Sequence, residues 1–319
     1  LMNGTIGVES ERGIGSTFSF VLPLRLGTQD GMAPLEADHS MVDRHSMVGR
    51  TVLVVDDDPV SRRVAMQLLR NFGAQIDEAS SAQDAIEALR IRPYDLVFMD
   101  CLMPGMNGLE AARRIRDPSS GVLNPAIPIT AMTGMTREED LTACYAAGMN
   151  AHIAKPLELD SLRLVLASIL QDRATMAPQL KHDPAEGPGS QRKSHDGTFD
   201  GAAFFERFSD DTSTALEILG LYLEQARPLV EKARADVGQH DSNDIALCMH
   251  RLKGTSGTVN AFALARLCGK LEEKIRKSRE PLPQTEILSL LDEIEAELGK
   301  VEGAIRSYTA DLQHRDGSV

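Results

Sequence analysis

Polar residues follow four apolar runs in the middle of the chain, each at the point where a run ends. In chain order they are Asp56, Asp57 and Asp58, then Asp100, then Thr133 and Gly134, and then Lys155 and Pro156. Carboxylates that meet in one pocket repel one another, and a hard divalent cation such as Mg²⁺ relieves that repulsion. A hydroxyl and an ammonium group beside them suit the oxygens of a phosphoryl group. A fold that gathers the four ends would therefore support Mg²⁺-dependent phosphoryl chemistry.

Each of these features also has a purely structural explanation when it is taken singly. An aspartate at a strand end commonly caps the following helix, and a single Lys-Pro forms a turn. Only the joint occurrence of all four ends favours a site.

A second cluster lies in the segment C-M-H-R-L-K-G-T-S-G-T-V, which starts at Cys248. Its apolar residues fall within about 60° of Ile245 on a helical wheel, whereas four others fall about 80° to 180° away. Those four are His250, Lys253, Gly254 and Gly257. We therefore expect His250 to point to solvent, with positive charge one turn away. Each glycine inside a helix costs ~1 kcal/mol relative to Ala, so bare backbone here favours close approach of another protein surface.

The elements that must position the first cluster alternate along residues 51–170. Apolar, β-branched runs predict five strands, at residues 51–55, 74–79, 95–99, 127–132 and 151–154. Helical patterns between and after them predict five helices, at residues 59–71, 82–90, 108–116, 137–147 and 158–170. The alternation predicts an α/β doubly wound, five-stranded parallel sheet, in which sites lie at the carboxyl ends of the strands.

The region after residue 198 has no strand pattern. Phenylalanines at 204, 205 and 208 indicate a short helix, and longer helical patterns run over residues 214–238, 245–259, 264–275 and 287–305. Long apolar stripes with short connections predict an all-α, antiparallel four-helix bundle. Pro228 lies inside the helical pattern at residues 214–238, where the loss of an amide donor predicts a kink in the helix.

Over residues 50–170 the chain resembles the receiver domain of two-component response regulators, which has a flavodoxin-like fold. The resemblance rests on V-V-D-D, M-D-C-L-M-P-G-M-N-G, T-G and K-P taken as a set. It implies that Asp100 is the phospho-acceptor, and that Thr133 and Lys155 bind phosphoryl oxygens. It also implies a Mg²⁺ ion, held directly by Asp57, Asp100 and the backbone carbonyl of Cys101, and through water by Asp56.

Two positions in this block bear on how the receiver would behave. Leu102 and Met135 are apolar and lie two residues beyond Asp100 and Thr133. They would hinder water attack on an acyl phosphate, which predicts a phosphoryl lifetime suited to transfer. His152 stands where the family usually has Tyr or Phe, and we expect a partly buried edge residue there rather than a pH sensor.

Over residues 198–310 the chain resembles the histidine phosphotransfer (Hpt) domain, whose pattern H-x-L-K-G-x-x-G begins here at His250. The match implies that His250 is the phospho-histidine and that Lys253 supports the phosphoryl group. It implies as well that Gly254 and Gly257 clear the docking surface for a partner.

Residues 4–24 read as a strand, a glycine-rich turn and a second strand. They resemble the end of a histidine-kinase ATP-binding domain, in which Gly13, Gly15, Ser16 and Thr17 would belong to the last glycine box. The kinase's own histidine helix, its Asn-bearing Mg²⁺ box and its adenine-binding aspartate are absent from this sequence. Because two strands cannot hold ATP or fold alone, we expect no ATP-dependent kinase activity from this chain.

Taken together, the chain resembles the C-terminal part of a hybrid sensor histidine kinase. The predicted organisation is a truncated ATP-binding end (1–25), a linker (26–50), a receiver (51–170), a flexible linker (171–198), an Hpt domain (199–310) and a tail (311–319). The resemblance implies phosphoryl transfer through Asp100 and His250, between an upstream histidine-kinase core and a downstream response regulator. It implies a cytoplasmic location without direct membrane contact, and leaves open an inner-membrane anchor on the bacterial parent kinase.

The composition of the chain disfavours several other functions. The formal net charge is -13, and aromatic residues make up 4% of the chain, which disfavours nucleic-acid binding. The four cysteines form no C-x-x-C pair and are expected to pack in cores. A DNA-binding regulator would need a basic recognition helix, whereas residues after 170 predict an acidic bundle. A non-catalytic receiver and Hpt docking module and a phosphate sink both stay open as alternative functions.

Overall fold

A computed structural model describes residues 5–11, 15–21, 46–134, 138–172, 198–208, 211–237, 242–278 and 282–316. The chain divides into two compact units, residues 1–41 and residues 42–319. In the first unit, β1 (Thr5–Glu11) pairs with β2 (Gly15–Val21) in an antiparallel hairpin. Gly13 lies outside the described residues, as do most of the two predicted linkers.

The second unit begins with a five-stranded parallel sheet in the order β4-β3-β5-β6-β7. Its strands are β3 (Thr51–Val55), β4 (Gln75–Ala79), β5 (Leu96–Asp100), β6 (Ile129–Thr133) and β7 (Ala151–Ala154). The alternating helices are α1 (Pro59–Arg70), α2 (Ala82–Ile91), α3 (Gly108–Arg116), α4 (Glu138–Ala146) and α5 (Leu159–Asp172). The predicted doubly wound α/β fold is therefore confirmed.

Helix starts in this domain are fixed by local capping. Asp58 precedes α1, and its Oδ1 accepts a hydrogen bond from the Ser61 backbone N–H at 2.7 Å. Asn107 caps α3 in the same way. The fourth predicted strand starts two residues late, because Pro128 has no amide to donate to a ladder and β6 begins at Ile129.

The strand order brings the functional ends together. β3, β5, β6 and β7 are consecutive in the sheet and parallel, so their carboxyl ends meet at one edge. β5 and β6 are buried along their whole length, which matches their unbroken apolar runs. The sheet therefore presents Asp56, Asp100, Thr133 and Lys155 to one side of the domain.

The C-terminal part is helical throughout its described residues. A short α6 (Gly201–Glu206) precedes α7 (Thr212–Val237), α8 (Ser242–Thr258), α9 (Phe262–Lys277) and α10 (Gln284–Asp316). Each of the four long helices packs against two others, α7 on α8 and α10, and α9 on α8 and α10. Pro228 lies inside α7, which continues past it as one helix. The predicted four-helix bundle is confirmed.

The bundle lies against the receiver-like domain through α1. Both α7 and α8 contact α1. Arg63 on α1 pairs with Glu217 on α7 at 2.8 Å, and Gln67 donates a hydrogen bond to Asp211 at 3.3 Å. Buried apolar residues of α1, α7 and α8 belong to one continuous cluster. The two domains therefore share a packed interface.

No described helix combines the length and the apolar character needed to cross a bilayer.

Candidate functional site

Three carboxylates converge at the ends of β3 and β5. Asp56, Asp57 and Asp100 each offer one oxygen, and these oxygens all lie within 4.8 Å of one another. Asp56 and Asp100 are buried, and the side chain of Asp57 is mostly buried. Asp57 Oδ2 is enclosed yet accepts no hydrogen bond from the described residues. An all-oxygen donor set of three converging carboxylates fits a hard divalent cation such as Mg²⁺.

Lys155 extends from the end of β7 into this cluster. Its Nζ lies 2.7 Å from Asp56 Oδ2 and 3.0 Å from Asp100 Oδ2. Burial alone would lower the pKa of Lys155, but the two carboxylates outweigh it and raise that pKa, so the ammonium group stays charged. The backbone N–H of Lys155 donates to the carbonyl of Thr133 at 2.8 Å, which ties β7 to the end of β6.

Asp100 is enclosed by the cluster. Burial raises the pKa of Asp100 to about 6, and neighbouring Asp56 adds to the rise although Lys155 opposes it. The raised pKa of Asp100 therefore reflects chiefly the loss of water around its carboxyl group. The Asp100 Oδ1 accepts a hydrogen bond from the Leu102 backbone N–H at 3.2 Å, whereas Met135 lies outside the described residues.

The carbonyl of Cys101, expected to face a metal ion, accepts a hydrogen bond from the Gly108 backbone N–H at 3.2 Å. A carbonyl oxygen has two lone pairs, so this bond leaves one for another partner. The Cys101 thiol packs into the core 3.7 Å from the thiol of Cys144, and both side chains are buried, as expected.

Gly108 holds the loop after Asp100 close to its strand, a role that sequence reasoning missed. A Cβ at position 108 would lie 2.1 Å from the Asp100 carbonyl oxygen, closer than any side chain permits. The signal was present in the sequence, because Gly108 is the last residue of M-P-G-M-N-G and begins α3.

On the bundle, His250 lies on α8 and is held by α9. The ring Nδ1 lies 2.8 Å from Oε1 of Glu272, a buried residue of α9. Burial alone would raise the pKa of Glu272, but His250, Lys253 and Arg276 outweigh it and lower that pKa. Glu272 therefore stays ionised beside the imidazole. Sequence reasoning missed Glu272, since it lies on a different helix, 22 residues along the chain from His250.

The expectation that His250 points to solvent is wrong in this arrangement. Its side chain is only 14% exposed, and its Cε1 lies 3.5 Å from where a Cβ on Gly134 would stand. The helical wheel correctly placed His250 on the face of α8 that points away from the bundle core, but the receiver-like domain covers that face. His250 therefore faces the edge of the sheet that carries Asp100.

The glycines of α8 differ in their surroundings. A Cβ on Gly257 would lie 3.7 Å from Pro156 Cδ of the other domain, so α8 approaches Lys155-Pro156 closely there. A Cβ on Gly254 would meet nothing within 4 Å. Lys253 is half-exposed, with its Nζ 3.4 Å from Glu272 Oε2.

A cavity of about 900 Å³ lies between the two domains. Its walls include Asp57, Asp100 and Lys155 from one side and His250 and Arg251 from the other. Arg251 Nη2 lies 3.0 Å from Asp57 Oδ2, an ion pair that crosses the interface and that sequence reasoning missed. Predicted site residues of both domains, Asp57, Asp100 and Lys155 on one side and His250 on the other, thus line one partly open cavity.

Two family profiles match the chain. The profile described as response regulator receiver domain matches residues 52–167, and the profile described as Hpt domain matches residues 217–303. These matches fall on the parallel α/β domain and on the helical bundle respectively.

Curated relatives include sensor proteins and a sensor histidine kinase. The chain is 25% identical to sensor protein EvgS of Escherichia coli over 96% of its length, and 31% identical to sensor histidine kinase AruS of Pseudomonas aeruginosa over 86%. It is 27% identical to virulence sensor protein BvgS of Bordetella bronchiseptica over 99%. It spans about a quarter of these relatives, 23% of EvgS and 25% each of AruS and BvgS.

Among solved structures, the receiver domain of sensor histidine kinase PA1611 from Pseudomonas aeruginosa, crystallised with a magnesium ion in its active site cleft, is 31% identical. That likeness covers 39% of this chain and 99% of the other, with a TM-score of 0.35, so by itself it establishes nothing about the whole chain.

Proposed function

We propose that this chain, which joins a response regulator receiver domain to an Hpt domain, passes a phosphoryl group between Asp100 and His250 as part of a two-component phosphorelay. The observation that carries the proposal is the shared cavity, which both residues line from opposite domains. The domain limits we propose are residues 51–170 for the receiver and 199–310 for the Hpt domain.

In the transfer step, the Nε2 lone pair of His250 attacks the phosphorus of an acyl phosphate on Asp100. The P–O bond to Asp100 breaks, the P–N bond forms, and Asp100 regains its carboxylate. The proton on Nδ1 of His250 stays in place and is held by Glu272. Lys155, already between two carboxylates, stabilises the oxygens of the transferring group together with Thr133.

We assign Mg²⁺ to Asp57, Asp100 and the Cys101 carbonyl, with Asp56 acting through water. When bound, the ion would neutralise charge on the phosphoryl oxygens. The three converging carboxylates support the assignment. Removal of Mg²⁺ with EDTA is expected to abolish phosphorylation of Asp100.

The proposed donor in the cell is the kinase core of a longer hybrid sensor kinase, and the proposed acceptor is a separate response regulator. The relatives support this assignment, because the chain aligns with only a quarter of each of them. The receiver and Hpt domains by themselves would relay phosphate without using ATP.

The test uses the full chain with Mg²⁺ and acetyl phosphate, and follows alkali-labile acyl phosphate and acid-labile phosphohistidine separately. Asp100→Asn is expected to abolish both labels, because His250 receives its phosphate from Asp100. His250→Gln is expected to remove only the acid-labile label. His195→Gln, in the predicted linker, serves as the matched control and should keep both labels.

Two outcomes contradict the proposal. A wild-type chain that binds Mg²⁺ but takes no label favours the docking module. A chain that labels Asp100 and never His250 favours the phosphate sink.

A further inference from the structure

Arg251 meets the receiver domain at a carboxylate that the proposed function assigns to Mg²⁺. Its Nη2 lies 3.0 Å from Asp57 Oδ2, and the contact runs from α8 of the bundle to the end of β3. The side chain of Asp57 is only 11% exposed and that of Arg251 is 31% exposed. Water therefore screens this pair less than an ordinary surface ion pair.

The charges around the cluster depend on whether Arg251 is in place. Lys155 contacts Asp56 and Asp100, and Arg251 contacts Asp57, so three carboxylates face two cations. Without Arg251 the same carboxylates face Lys155 alone, which leaves an excess of two negative charges. A divalent cation cancels that excess, whereas with Arg251 present the three carboxylates attract added positive charge less strongly.

The geometry of the pair adds a steric reason. Both Asp57 Oδ2 and Arg251 Nε are enclosed without a hydrogen-bond partner among the described residues. The contact is therefore a single close approach of charges rather than a bidentate fork. Mg²⁺ requires oxygen ligands at ~2.0–2.1 Å in near-octahedral directions, so the ion and the guanidinium group would crowd each other at this carboxylate.

We propose that Arg251 and Mg²⁺ compete for Asp57, so that docking of the Hpt domain and binding of the metal weaken each other. The proposal rests on the proposed function, in that it takes Asp57 as a magnesium ligand. Because coupling between two binding events is reciprocal, Mg²⁺ loosens the docked bundle by the same factor as docking lowers Mg²⁺ affinity. A receiver loaded with Mg²⁺ would then release His250 to other partners more readily than an empty one.

The first test measures Mg²⁺ affinity by isothermal titration calorimetry on the full chain. Arg251→Ala is expected to lower the Kd for Mg²⁺ about tenfold, because one competing positive charge leaves the site. Arg251→Lys keeps the charge and is expected to fall between wild type and Arg251→Ala. Arg306→Ala removes an exposed arginine of α10 and is the matched control, with a wild-type Kd. Equal affinity in Arg251→Ala and Arg306→Ala overturns the proposal.

The second test separates competition from simple charge proximity. Small-angle X-ray scattering of the wild-type chain is expected to show a larger radius of gyration with saturating Mg²⁺ than with EDTA. In Arg251→Ala that Mg²⁺-dependent change should be lost. If the radius of gyration of the wild-type chain is the same with Mg²⁺ and with EDTA, Arg251 affects Mg²⁺ binding only through its electrostatic field. That result refutes the competition.

A third variant distinguishes failure of this proposal from failure of the proposed function. Asp57→Asn is expected to weaken Mg²⁺ binding strongly, and Mg²⁺ binding that survives this change overturns the competition at its premise. A different result would contradict only the relay: the wild-type chain transfers no phosphate to His250, while Arg251→Ala still binds Mg²⁺ more tightly than wild type. In that case the competition between Arg251 and Mg²⁺ stands.

Discussion

Glu272 Oε1 lies 2.8 Å from His250 Nδ1, and Cε1 of the same ring lies 3.5 Å from where a Cβ on Gly134 of the receiver domain would stand. An ionised glutamate only accepts hydrogen bonds, so in the neutral imidazole Nδ1 carries the proton and Nε2 carries the lone pair. The pair thus selects the tautomer in which the nitrogen opposite Glu272 is the nucleophile. This arrangement makes Glu272 a positioning residue for phosphoryl transfer.

Glu272→Gln is expected to slow transfer from Asp100 to His250 about tenfold, by analogy with metal-ligating histidines, where loss of the partner that orients the ring costs about 10–100-fold. The neutral amide no longer stabilises positive charge on the ring, and its NH₂ group can favour the other tautomer. Rapid-quench measurement of acyl phosphate decay and phosphohistidine growth reports the rate. The nitrogen chemical shifts of His250 report the tautomer, which a purely structural role would leave unchanged.

The adjacent Glu273→Gln is the matched control, because Glu273 is exposed and pairs with Lys277 along the same helix. It should keep the wild-type rate. An equal rate in Glu272→Gln would show that Glu272 does not position the histidine.

The stability of the bundle should depend on pH through Glu272. Its pKa is lowered in the folded chain, where burial is outweighed by His250, Lys253 and Arg276. A carboxyl group with a lowered pKa stabilises the fold above its ordinary pKa of ~4.3, and this contribution is lost as pH falls through the lowered value. Urea unfolding should therefore show a larger difference between wild type and Glu272→Gln at pH 7 than at pH 3. A difference that does not change with pH would contradict the lowered pKa.

Much of the receiver site could be predicted from the sequence because parallel strands end at a common edge. Once the apolar runs were taken as strands, Asp56, Asp100, Thr133 and Lys155 had to meet there. The helical wheel likewise separated His250 from the core of the bundle. These predictions depend on local periodicity and on topology alone.

The rest depended on contacts between distant parts of the chain. Glu272 has the sequence surroundings of an ordinary surface glutamate, and only the packing of α9 on α8 buries it beside His250. The Arg251–Asp57 contact arises from docking of two domains, which no periodicity encodes. The prediction that His250 is exposed to solvent was wrong for the same reason. A helical wheel describes the faces of one helix and carries no information about what packs against them.

The end of α8 offers a stability prediction. Arg207 Nη2 donates to the Thr258 carbonyl at 2.5 Å and to Asn260 Oδ1 at 3.0 Å, where Asn260 adopts a φ of 62°. Arg207→Met keeps much of the aliphatic bulk but leaves these acceptors without a donor. We expect the free energy of unfolding to fall by about 1.5–3 kcal/mol, as is usual for hydrogen bonds to charged groups. Urea denaturation checks this, with the exposed Arg306→Met as the control; equal stability of the two variants would contradict the capping role.

Close approach of α8 to the receiver gives the last prediction. A Cβ on Gly257 would lie 3.7 Å from Pro156, an ordinary contact, so Gly257→Ala should still transfer phosphate. In Gly257→Leu the longer side chain would clash with Pro156 and hold the domains apart. We therefore expect this variant to transfer phosphate from Asp100 to His250 about tenfold more slowly.

Gly299→Leu is the control, because Gly299 is exposed on α10 and a Cβ there would meet nothing within 4 Å. Circular dichroism should show that both leucine variants keep their helices, so that a loss of transfer in Gly257→Leu reflects docking and not unfolding. A wild-type rate in Gly257→Leu would mean that the productive complex does not bring α8 against Pro156. Transfer would then have to use a different orientation of the two domains from the one that places His250 beside Gly134.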